Sequence, residues 1–107
     1  MITMANVEDK NNKIIIRPVL KYFDNFNNED ISLKNLKGKK ELIFDLTNVE
    51  YISSNVLDII KKLHKILKNE VKIIIKNCSY NILDILKAFN IEEDDTLIIK
   101  GKKNLYG

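Results

Sequence analysis

Residues 41–67 read ELIFDLTNVEYISSNVLDIIKKLHKIL, and the change of period inside this stretch decides the fold. Glu41 to Leu46 is a short apolar run, the pattern of a central strand. Thr47 to Ser53 reads as a connecting loop that carries Val49, Tyr51 and Ile52. From Ser54 the apolar residues Val56, Leu57, Ile59, Ile60, Leu63, Ile66 and Leu67 recur at helical spacing, so one face of a helix is expected to be buried. Asp58, Lys61, Lys62, Lys65 and Lys68 occupy the opposite face. Asp58 precedes Lys61 and Lys62 by three and four residues, the spacing of weak helical ion pairs.

Working outward, Ile2, Met4 and Asn6 or Val7 form a weak strand. The turn formers Asp9, Lys10, Asn11 and Asn12 follow. Lys13 to Phe23 (KIIIRPVLKYF) is a β-branched and aromatic run, so the N-terminal part predicts an antiparallel hairpin. Pro18 lacks an N–H and is expected at a bulge or an unpaired edge. Asp24 to Asn28 is loop-like. Glu29 to Lys37 predicts a short helix with Ile31, Leu33 and Leu36 on its apolar side, stopped by Gly38.

Downstream, Val71 to Lys76 (VKIIIK) is a second core strand. Ser79 caps a predicted helix through Phe89, with Ile82, Leu83, Ile85, Leu86 and Phe89 inward. Asn90 falls where a left-handed C-terminal residue belongs. Glu92 to Asp95 is an acidic turn, and Thr96 to Lys100 is a last strand at an edge. The order β-β-α-β-α-β-α-β predicts one α/β domain over residues 1–107, with residues 101–107 a frayed tail. Its central sheet should be mixed and mostly parallel, with the helices mainly on one face.

Composition excludes several functions. Eighteen basic residues against 15 acidic leave a net charge of +3, and the lysines are interleaved with acids. That is not the clustered basic surface of a nucleic-acid binder. Cys78 is the single cysteine, which fits a reducing, cytoplasmic setting. No apolar stretch approaches the roughly 20 residues of a membrane span, and the N-terminus does not read as a signal peptide. His64 has no neighbouring Cys or His with which to hold a metal, and reads as a surface or half-buried residue. Cys78 follows a core strand and is expected to pack there. Gly38, Gly101 and Gly107 do not make a phosphate loop. The machinery of acid–base or nucleophilic catalysis is not visible, so the chain reads as a non-enzymatic protein without cofactor or metal.

One junction calls for an explanation. A core strand runs through a short loop into an amphipathic helix, and Ser53 and Ser54 stand where the helix begins. The plain explanation is an N-cap worth about 1 kcal/mol. The other is that the unpaired N–H groups and partial positive charge of the helix start hold an anion, including a phosphate on a local serine.

The stretch IFDLTNVEYISSNVLDIIKKLHKIL resembles the central signature of STAS domains, typified by bacterial anti-sigma-factor antagonists. Asp45 and Leu46 match the end of the family's strand, Val49 and Tyr51 the apolar positions of its loop, and Leu57 the leucine after its glycine. VKIIIKNCSYNILDILKAFNI resembles the later strand and helix, with Asn90 and Ile91 on the family's Gly-Leu. KYFD, ending at Asp24, resembles the end of its second strand. The departures fall in the motif itself. Ser53 stands for its aspartate, Asn55 for its second serine and Val56 for its glycine, while Ser54 retains the serine that the family phosphorylates.

The resemblance implies a protein-binding antagonist whose partner is a GHKL-type anti-sigma factor that is also its kinase. It implies partner contacts at Asp24, Ser53, Ser54, Asn55, Asp58 and Lys61. Phosphorylation at Ser54, with Ser53 the second candidate, would break the contact by repulsion or desolvation. β-branched Val56 would stiffen the helix start and crowd a docked partner. Two alternatives stay open: a constitutive STAS scaffold, for example beside an ABC-transporter ATPase, and a small-ligand or nucleotide-binding module. Monomer and weak dimer are both compatible with the sequence.

Overall fold

The computed structural model describes residues 5–24, 36, 38–68 and 70–102. Among these, β1 (Ala5–Lys10) and β2 (Lys13–Pro18) make the antiparallel hairpin, closed by Asn11 and Asn12 alone. The strand thus continues through Asp9 and Lys10, which the sequence placed in the turn; a two-residue connection suffices to reverse an antiparallel pair. Next come β3 (Tyr22–Phe23), β4 (Glu41–Asp45), β5 (Tyr51–Ile52), helix α1 (Ser54–Leu67), β6 (Lys72–Cys78), helix α2 (Tyr80–Ala88) and β7 (Leu97–Gly101).

Five strands share one sheet in the order β1-β2-β4-β6-β7, and β3 pairs with β5 in a separate two-stranded parallel ribbon. Every pairing after the hairpin is parallel, so the sheet is mixed and mostly parallel. The chain steps outward from β2 to β7, with α1 and α2 spanning the crossovers β4–β6 and β6–β7.

Register explains why both helices lie on one face. Ile14, Leu42, Ile73 and Leu97 stand abreast across β2, β4, β6 and β7, and Ile16, Phe44, Ile75 and Ile99 form the row two residues on. Alternation along each strand points both rows the same way. Except for Ile99, which is half-buried against them, they join Val56, Leu57, Ile60 and Leu67 of α1, and Ile82 and Leu86 of α2, in one buried cluster. Burial of each such side chain contributes roughly 1.5–3 kcal/mol, which makes this face the main source of stability.

Several expectations are corrected. Residues 13–23 are two strands, not one: β2 stops at Pro18, opposite Ala5. Pro18 sits, as expected, where one side of the strand is unpaired: β4 pairs with β2 only as far as Ile16, so no ladder on that side is left for its missing N–H to break. The 47–53 loop contains a strand, β5. On α1, Ile66 is 60% exposed. It lies about 120° around the helix from the centre of the buried stripe. Phe89 is 37% exposed because it is the C-cap of α2, beyond the buried stripe.

β6 runs two residues past Lys76, accommodated by a register shift between Ile75 and Cys78 and by Asn77 at φ 60°. Gly101 belongs to β7, and the Lys102 N–H donates to the Cys78 carbonyl at 3.0 Å, so order extends past residue 100. The predicted 29–37 helix lies outside the described residues except for Leu36, which is helical and fully buried. Gly38 follows it at φ 86°, the left-handed conformation suited to a helix stop. Residues 103–107 also lie outside the described residues.

Candidate partner-binding site at the start of helix α1

The loop between β4 and α1 is held at both ends by side chains that the strand order brings together. At its start, Asp45 Oδ1 accepts hydrogen bonds from the Thr47 N–H (3.2 Å), the Thr47 hydroxyl (2.6 Å) and the Asn77 side-chain amide (2.8 Å). The other oxygen, Oδ2, lies 3.4 Å from Arg17 Nε. Burial works against the charged form of Asp45. The bonds from Thr47 and Asn77 outweigh it and hold the carboxyl below its ordinary range. Leu46 and Val49 then plug the loop into the core, both fully buried.

At its end, the ribbon β3–β5 ties the loop to the segment after the hairpin. The Lys21 carbonyl accepts from the Glu50 and Tyr51 N–H groups, and the Phe23 carbonyl accepts from the Ser53 N–H. Phe23 and Ile52 point inward at 1% exposure, while Tyr22 and Tyr51 point outward. The two tyrosine rings stack with centroids 4.8 Å apart and planes 9° from parallel. Tyr51, matched in sequence to an apolar loop position, is thus on the surface, and Ile52 takes the core position beside it.

The two serines are sharply different. Ser53 is the N-cap of α1. Its Oγ accepts from the Val56 N–H at 3.3 Å and donates to the Asp24 carbonyl at 2.7 Å, and the residue is 7% exposed. Ser54 is the first helical residue and is exposed, as are Asn55, Asp58 and Lys61. Ser54, Asp58, Lys61 and Lys65 follow one another at helical spacing along the outer face of α1. No acidic side chain stands in the first turn of α1, so no carboxylate of the helix itself offsets the positive end of its dipole.

Asp24 is exposed and its main chain is bonded to Ser53, so Asp24, Ser53, Ser54 and Asn55 do come together. Asp58 and Lys61 extend the surface along the helix. Val56 is fully buried. It packs into the core and does not crowd the outer surface, contrary to the expectation from its place in the motif.

One further cluster was not legible as such. His64 reaches across to the acidic turn, with Nε2 at 3.0 Å from Thr96 Oγ1 and 3.2 and 3.1 Å from the two Asp94 oxygens. Asp94 in turn accepts from the Thr96 N–H and hydroxyl. His64 therefore has partners, although no His or Cys adjoins it in sequence. Cys78 is buried and free, and burial pushes its thiol up to about 12. No group of three or more His, Cys, Asp or Glu among the described residues is placed to hold a metal. No helix among them is long and apolar enough to cross a membrane.

A family model, described as the STAS domain, matches residues 6–100. That span runs from within β1 to within β7 and takes in all of the residues at the α1 junction. No curated protein matches the chain.

Proposed function

The chain belongs to the STAS domain family, and from that premise we propose that it is an anti-sigma-factor antagonist switched by phosphorylation of Ser54. STAS domains act as protein-interaction modules, which is the coarse function here. The finer reading assigns the partner as a GHKL-type kinase that is also the anti-sigma factor. The contact surface consists of Asp24, Ser54, Asn55, Asp58 and Lys61, with Ser53 buried beneath it and holding the loop to Asp24.

One observation carries this reading: of two adjacent serines, Ser53 is buried and spent on the helix cap, while Ser54 is exposed at the first helical position. A phosphoryl group on Ser54 adds about −1.5 to −2 charges at pH 7. It meets the N-terminus of α1, whose first turn holds no acidic residue, so it can be carried without unfolding the helix. The same group places bulk and a large desolvation cost in the middle of the contact surface, which releases the partner.

The test is incubation with the kinase-type anti-sigma factor and ATP, followed by phosphopeptide mass spectrometry. Phosphate is expected on Ser54, lost in Ser54→Ala and kept in Ser53→Ala. Capture of the unmodified protein by the kinase should be weakened in Ser54→Asp. Undiminished capture of that variant would overturn the switch.

A second reading, a constitutive scaffold beside an ABC-transporter ATPase, is favoured by one specific observation. The position of the motif aspartate is held by Ser53, whose buried hydroxyl presents no carboxylate to a kinase. Co-purification with an ATPase, and none with a GHKL kinase, would decide for it.

A further inference from the structure

The Tyr22–Tyr51 stack is the largest feature of the α1 junction that the contact set above does not use. It stands on the β3–β5 ribbon, two residues before Asp24 on one strand and two before Ser53 on the other. The rings are 48% and 46% exposed, although each covers one face of the other. Leu20 and Val19, on the approach to β3, are 43% and 41% exposed. Four large side chains thus face solvent along one short path, where the alternating partners Phe23 and Ile52 are fully buried. Rigid, pre-stacked tyrosines lose little side-chain entropy on binding and are a favoured anchor in protein interfaces.

The charge around the stack points to the chemistry of what covers it. Segments 20–24 and 50–53 carry one lysine, Lys21, against two carboxylates, Asp24 and Glu50, in a chain whose net charge is +3. Asp24, two residues after Tyr22, and Glu50, directly before Tyr51, are both exposed, so two carboxylates adjoin the ribbon; desolvation, followed by the Asp24 charge, raises the Tyr22 hydroxyl. A π face beside a carboxylate is a site for a cation. A planar guanidinium suits it better than an ammonium, because it can stack on the ring and pair with the carboxylate together.

We propose that the Tyr22–Tyr51 stack, with Asp24 and Glu50, is an arginine-accepting anchor. It takes a guanidinium from the protein partner and lies next to the Ser54 switch without being part of it. This rests on the reading of the junction as a partner-binding surface. It adds that the partner presents an arginine, and that affinity at this end comes from the two rings.

The experiment uses the full chain, isotopically labelled for NMR, titrated with the peptide Ac-Gly-Arg-Gly-NH2, its lysine counterpart and its neutral citrulline counterpart. The arginine peptide should shift the amides of residues 20–24 and 50–53. The lysine peptide should do so more weakly, and the citrulline peptide should not. Tyr22→Ala and Tyr51→Ala should each weaken the midpoint by about 2- to 5-fold, whereas Tyr22→Phe, which keeps the π face, should bind as the native protein does. Amide spectra of the variants show whether the fold is retained.

An equal response to citrulline, shifts confined to the Glu92–Asp95 turn, or equal loss in Tyr22→Phe and Tyr22→Ala would overturn the anchor. So would a dimer in analytical ultracentrifugation that Tyr51→Ala abolishes, since the stack would then be covered by a second copy of the chain. No kinase enters this titration, so its failure leaves the phosphorylation assay to stand or fall separately.

Discussion

Removing the Ser53 hydroxyl takes away two hydrogen bonds at once: the cap on the Val56 N–H and the donation to the Asp24 carbonyl. The cap is worth about 1 kcal/mol, and a part-buried carbonyl left without its donor adds about 1 more. Ser53→Ala should therefore lower stability by about 2 kcal/mol, a fall of roughly 10 °C in melting temperature for a domain of this size. Ser54→Ala removes an exposed hydroxyl and should stay within about 0.5 kcal/mol of the native protein. Thermal unfolding followed by circular dichroism separates the two, and equal losses would mean that the cap has been assigned to the wrong serine. Sequence alone left this choice open for a physical reason. Both serines have cap chemistry and differ by one residue of helix phase. What decides between them is the Asp24 carbonyl, 29 residues away along the chain. Which serine is the cap and which stays exposed is settled only by that contact.

At the scale of elements, the 46–53 loop depends on Asp45, and this makes the junction sensitive to acid. A carboxyl whose folded value lies below its unfolded value, ordinarily about 3.9, stabilises the fold at every pH above that unfolded value. The stabilisation disappears as pH falls through the lower, folded value. Asp45 is of this kind, held down by Thr47 and Asn77 against the opposing effect of burial. Urea midpoints measured from pH 6 downward should fall below about pH 4, and more steeply in the native protein than in Asp45→Asn. Parallel curves would show that the Asp45 charge does not hold the loop. The elements that were legible are those with enough residues to show a period. α1 and α2 have clear periodic apolar faces, β4 is a continuous apolar run buried on both faces, and Ser79 is the α2 cap as expected, accepting from the Ile82 N–H at 3.2 Å. β5 was not legible because a two-residue strand has no period. It exists through bonds to Lys21 and Phe23, supplied by a remote segment. The same remoteness hid the contact of His64 with Asp94 and Thr96.

The whole molecule has two unlike sides, and only one is built by hydrophobic burial on the helices. On the side away from α1 and α2, register sets Ile15, Ile43, Ile74 and Ile98 abreast across β2, β4, β6 and β7. Neither Ile15 nor Ile43 belongs to the main cluster, yet they are only 4% and 6% exposed. The row beside them on the same face contains Arg17 and Asp45, joined at 3.4 Å, and Arg17 also bonds Glu8 on β1 at 3.0 Å. Exposed ion pairs contribute about 0–1 kcal/mol, too little to account for a buried pair of isoleucines. The methylene stem of Arg17, whose guanidinium is paired with Glu8 and Asp45 in the next row, is therefore expected to cover them. The two contributions can be separated. Arg17→Met keeps a stem of similar length and removes the charge, and its stability should stay within about 0.5 kcal/mol of the native protein. Arg17→Ala removes both and should cost about 1–2 kcal/mol, near the transfer energy of two methylenes. Urea unfolding of the two variants reads the difference directly. If Met falls as far as Ala, the ion pairs hold this face. If only Ala falls, the sheet is covered on one side by helices and on the other by the carbon stems of its own charged residues.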